Sequence, residues 1–89
     1  MNFKHRKSMK LPYKRQGYIF FKCQNINCLT EKEQREIRNT CDKSGFSDAV
    51  FEYITTEATS EDICKQYGLN DKMLSVITSN IFAELSKIL

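Results

Sequence analysis

Apolar residues recur along this chain at helical rather than strand spacing. The clearest stretch is TSEDICKQYGLNDKMLSVITS, Thr59 to Ser79, which reads as two amphipathic helices about a tight turn. Ile63 and Tyr67 stand four apart on one face, with Cys64 as a small neighbour. Thr59 suits an N-cap, and Glu61 and Asp62 put negative charge beside the positive end of the helix dipole. Gly68 supplies the left-handed residue that ends a helix cheaply, and Leu69 follows as the apolar residue after the turn. Asn70 then caps a helix whose apolar residues Leu74, Ile77, Ile81, Leu85 and Ile88 share one face.

The rest of the chain repeats this period. Pro12 suits a first helical turn, and Tyr13, Gly17, Phe20, Phe21 and Gln24 follow at near-helical steps, their aromatic rings forming one wall of the core. The run YIFF would also suit a strand, but no other segment reads as its partner. Thr30 and Glu33 form a capping box for a helix that buries Ile37 and Cys41, and Lys43-Ser44-Gly45 stops it. Ser47 caps the next helix, with Val50, Tyr53 and Ile54 inward. The expected helices lie near 13–26, 31–43, 48–56, 60–67 and 71–87. The fold class is therefore all-α: a small four- to five-helix bundle over residues 12–89, preceded by a flexible basic arm at 1–11.

Eighty-nine residues suit one domain with a small core, burying about 60–65% of the unfolded surface. With 40% hydrophobic and 28% charged residues, disordered and fibrous classes are excluded. No run reaches the ~18 apolar residues of a membrane span. The basic amino terminus lacks the apolar segment and small-residue cleavage site of a signal peptide. A soluble, cytoplasmic chain with no membrane partner is the expectation.

The formal net charge of +3 hides an asymmetry. Residues 1–28 hold Lys4, Arg6, Lys7, Lys10, Lys14, Arg15 and Lys22 and no acid, a net +7, whereas residues 29–89 sum to −4. A basic arm ahead of a mildly acidic body suits nucleic-acid binding, since lysine and arginine displace counterions from phosphate. The competing reading is a solubilising terminus. Basic residues interleaved with aromatics from Tyr13 to Lys22 also suit the stacking of single-stranded bases.

Candidate chemistry is sparse. Cys23 and Cys28 have four intervening residues, the upper limit for a zinc pair, and no similar second pair follows. Cys41 and Cys64 fall on inward helix faces, and His5 lies in the arm. No metal, disulfide or cofactor is expected. One histidine, no glycine-rich phosphate loop and no carboxylate pair with a reason to be buried point away from an enzyme.

The places held by Ile63, Cys64, Tyr67-Gly68-Leu69, Leu74 and Ile77 resemble the helix-turn-helix family of DNA-binding motifs, in which two helices on a short turn bury a shared apolar wedge. More widely, LPYKRQGYIFFKCQNIN, TEKEQREIRNTCDKSG and FEYITTEATSEDIC are similar to small helix-turn-helix (sigma-factor-region-4-like) proteins of phages and conjugative elements of low-GC Gram-positive bacteria. The resemblance implies a DNA-binding transcriptional regulator of a mobile element, with double-stranded DNA as partner. Its second helix would enter the major groove, with Asn70, Lys72, Ser75, Val76 and Ser79 facing base edges. Lys4, Arg6, Lys7, Lys10, Lys14 and Arg15 would contact phosphates. The chain departs from the pattern in that helix, which carries NDKMLSVITSNIFAELSK where Arg and Tyr are typical. Residues 47–89 hold three basic residues against seven acidic ones, so affinity would have to come from the arm, a partner or dimerisation. The alternative is a protein–protein interaction module that keeps the helix-turn-helix shape. Val76, Phe82 and Ala83 would then form an exposed apolar surface on the last helix for a homodimer or a protein partner.

Overall fold

The computed structural model describes residues 13–89; the expected arm at 1–11 lies outside them. Five helices follow in order: α1 (Tyr13–Gln24), α2 (Glu31–Asp42), α3 (Ser47–Thr55), α4 (Ser60–Tyr67) and α5 (Asp71–Leu85). A 3-10 turn, Ile26–Cys28, separates the first two, and the described residues contain no strand. None of these helices is long and apolar enough to cross a membrane.

Local chemistry sets most boundaries. At the start of α2, Glu33 N–H donates to Thr30 Oγ1 (3.1 Å) while Thr30 N–H donates to Glu33 Oε1 (3.1 Å), which completes the capping box. Thr59 and Asn70 cap α4 and α5 by accepting from Asp62 N–H (3.1 Å) and Met73 N–H (2.8 Å). Gly45 and Gly68, at φ +83° and +71°, end α2's turn and α4 in the left-handed region. The expected cap at Ser47 is displaced by one residue: α3 begins at Ser47, with Phe46 in the N-cap position. The Ser47 hydroxyl is engaged by the Asp42 carboxylate instead.

α3 and α5 form the centre, and each of α1, α2 and α4 packs against both of them. The main core gathers Ile19, Cys23, Ile37, Cys41, Val50, Ile54, Ile81, Phe82 and Leu85. A smaller cluster of Ala49, Ile63 and Leu74 lies under the α4–α5 corner, closed by Tyr53, Ala58, Cys64, Tyr67 and Leu69. Long-range bonds fasten the periphery. Gln24 Nε2 donates to the carbonyls of Ile54 and Thr56 at 2.9 and 2.8 Å, Arg15 donates to Ser86 O at 3.1 Å, and Tyr67 O–H donates to Glu52 at 2.8 Å.

Two expected faces are rotated. On α1 the buried residues are Ile19 and Cys23, while Tyr18 and Phe21 are exposed and Gly17 faces solvent. Of the aromatics from 18 to 21, Phe20 packs its ring 5.8 Å from Phe82 and 6.4 Å from Tyr53, yet it remains 37% exposed. On α5, that contact draws Phe82 inside at 6% exposure, contrary to its expected place on the surface. The buried stripe runs through Leu74, Thr78, Ile81, Phe82 and Leu85, leaving Ile77 half-buried and Ile88 exposed.

Candidate nucleic-acid interface

The α4–α5 corner is built from three residues, Gly68 to Asn70. Gly68 and Leu69 both turn back to α4 by donating N–H bonds to Cys64 O, and Leu74 N–H donates to Asn70 O to begin α5. The left-handed Gly68 ends α4 within this span, and Ile63 and Leu74 are buried beside it. Of the expected wedge, Cys64, Tyr67 and Leu69 are partly buried against these two, whereas Ile77 packs on the main core.

The five residues expected at base edges do not share one environment. Lys72, Ser75 and Val76 are exposed, Val76 at 53%, and Ser79 is half-buried. Asn70, Lys72 and Val76 lie with Phe46, Met73 and Ile77 around a shallow, mostly apolar shelf. Ser75 and Ser79 instead edge a cleft of about 380 Å³ between α1, α3 and α5, with Phe20, Tyr53 and Phe82 as its apolar wall. Asn70 is exposed, but its Oδ1 is committed to the α5 cap. A bidentate pairing with adenine uses that oxygen as well as the amide N–H₂. Thr78 lines the same cleft, and its Oγ1 is buried without a partner.

Of the residues expected on phosphates, Lys4, Arg6, Lys7 and Lys10 lie outside the described residues. Lys14 is exposed on the first turn of α1. Arg15 is half-buried, fixed by Ser86 O and by a cation–π contact of 5.1 Å to the Tyr18 ring. The corner itself is acidic: Glu61 and Asp62 occupy the first turn of α4, and Asp71 that of α5. These carboxylates favour the helix ends and oppose an incoming phosphate there. Lys65 pairs with Glu61 at 3.9 Å on an exposed surface.

The four cysteines are unpaired. Burial pushes the Cys23 and Cys41 thiols up to about 12, with a smaller contribution to Cys23 from Cys41 itself. Cys28 is exposed on the 3-10 turn, so it and Cys23 occupy opposite environments. Cys64 is raised by burial and then by its bond to Asp71, whose Oδ1 accepts from Sγ at 3.6 Å. Among the described residues no three His, Cys, Asp or Glu side chains gather as metal ligands would.

No family model, curated protein or solved structure matches this chain.

Two features had no clear sequence signal. Phe46 lies outside any periodic run, yet it forms one edge of the shelf beside Met73 and Val76. Thr78 is a polar residue on the apolar stripe of α5, and it is buried there at 8% exposure.

Proposed function

We propose that this chain is a helix-turn-helix DNA-binding protein, a regulator of the phage and mobile-element type that its sequence resembles, rather than an enzyme. In this reading α4, the Gly68 turn and α5 are the helix-turn-helix, and α5 lies in the major groove of duplex DNA. The observation that carries the reading is the corner itself. Both helices are capped, the turn is three residues long, and the early outward positions Lys72, Ser75 and Val76 take no part in the core. Lysine and serine can reach base-edge acceptors, and valine can touch a thymine methyl. In this reading the acidic corner repels phosphate, and the attraction comes from Lys14 and the basic residues before it. A titration of duplex DNA at two salt concentrations tests this. Affinity that falls steeply with salt supports the proposal, and no duplex binding at low salt removes it.

A second reading draws on the shelf of Phe46, Met73, Val76 and Ile77. Phe46, Met73 and Val76 are exposed by 38%, 39% and 53%, the last two on α5, where a groove-reading helix would carry polar side chains. An apolar surface of this kind suits a protein partner. Binding of a partner that is insensitive to salt, with no duplex affinity, favours this reading.

A further inference from the structure

The outward face of α1 forms a surface that the corner does not use. Lys14, Gly17, Tyr18 and Phe21 fall on one stripe at helical spacing, and all four are exposed. Phe21, at 65%, is the most exposed large apolar side chain of the described residues. Arg15 and Lys22 approach the Tyr18 ring at 5.1 and 5.4 Å, so this ring holds two cations beside the stripe. α1 itself contains no acid, and its ion pair runs from Lys22 to Glu33 on α2 at 3.7 Å. Gly17 lies in the middle of this stripe, inside the helix. Glycine inside a helix is costly, and a Cβ at this position would meet nothing within 4 Å. The fold has no steric need for glycine here. Its effect is to leave bare backbone between Lys14 and Phe21, where a flat group can approach closely.

We infer that this face of α1 binds single-stranded nucleic acid, with Phe21 stacking on a base, the exposed Lys14 meeting a phosphate, and Arg15 and Lys22, held at Ser86 O and Glu33, adding positive charge beside the stripe. Tyr18 positions two of those cations. Every base offers a π face to an exposed ring, and a basic groove or stripe tracks the backbone. A duplex keeps its bases stacked on one another and would use the cations alone. An acidic peptide without aromatic residues would engage the cations and offer no ring to stack on Phe21. The two readings share Lys14 but separate elsewhere: the stacking residue Phe21 lies on α1, whereas the residues proposed to read duplex base edges lie on α5.

The test is a titration of the full chain with a short fluorescent oligothymidylate, alongside a duplex. Phe21→Ala should weaken single-strand binding about fivefold or more, the loss of one stacked base, with an unchanged melting temperature. The chain has no tryptophan, so a Phe21→Trp variant places a single indole on the stripe, whose emission should be quenched by the oligonucleotide. A Lys72→Ala, Ser75→Ala variant should leave single-strand affinity unaltered, so the duplex reading can fail while this one stands. Wild-type affinity in Phe21→Ala, an unquenched indole, or no oligothymidylate binding at low salt would each overturn the inference. Capture of polyglutamate in place of the oligonucleotide would reassign the face to an acidic protein partner.

Discussion

At the scale of single residues, the sharpest consequences come from Gly68 and Glu33. Gly68 has φ +71° and ψ +34°, and a Cβ there would meet nothing within 4 Å. Any cost of substitution is therefore backbone strain rather than a clash. Gly68→Val should destabilise the fold by about 1–2 kcal/mol or more, because a β-branched residue resists the left-handed region. Gly68→Asn should cost visibly less, since asparagine tolerates that conformation. Chemical denaturation of the two variants checks the order. Glu33 is held below the usual carboxylate range, first by the Thr30 N–H and then, against the effect of burial, by Lys22. A carboxylate with a lowered folded pKa contributes its full stabilisation above the unfolded value. That contribution is lost as pH falls through the folded value. Glu33→Gln keeps an acceptor in the capping box but does not titrate. Melts of both proteins from neutral to acid pH should show the wild type's advantage shrinking on acidification. A constant difference would exclude the capping carboxylate as the cause.

At the scale of elements, periodicity located all five helices, and cap chemistry placed most of their starts. Thr30, Thr59, Gly68 and Asn70 act within a few residues of themselves, so their roles could be read before any tertiary contact was known. The faces were less legible. Which side of α1 turns inward depends on Ile19 and Cys23 meeting residues of distant helices, and YIFF offers an apolar residue in nearly every direction. The resulting seat for Phe20 draws Phe82 inside and rotates the buried stripe of α5 toward Thr78. Lys72 and Val76 were legible as outward residues, but the split between the shelf and the serine-edged cleft follows from that rotation. Phe82→Ala should cost about 3–5 kcal/mol as a buried aromatic truncation; denaturant unfolding at constant m-value would measure it. A change within about 0.5 kcal/mol, ordinary for a surface site, would instead favour the exposed position expected from the sequence.

At the scale of the whole molecule, the charge split governs how DNA would be held. With Glu61, Asp62 and Asp71 around the corner, the proposed affinity resides in the amino-terminal basic residues. Neutralising Arg6, Lys7 and Lys10 together should weaken duplex binding uniformly across sequences and lower the salt slope by about three charges' worth. Binding curves for related and scrambled duplexes at several salt concentrations provide the measurement. An unchanged slope would return phosphate contact to the body of the protein. Lys72→Ala should act differently, reducing discrimination between sites by about 1–3 kcal/mol where a base contact is lost.

The central placement of α3 and α5 also constrains how the chain can come apart. Because α1, α2 and α4 each lean on both, neither central helix can detach without giving up its packing against all four other helices, and α5 bridges the two apolar clusters through Leu74 at one end and Leu85 at the other. Amide protons of α3 and α5 should therefore exchange with solvent deuterium only through global opening, while those of α4 can escape through a smaller, local release of the Ala49–Ile63–Leu74 contacts. Such a hierarchy would let the corner be remodelled by a ligand without loosening the body that carries it.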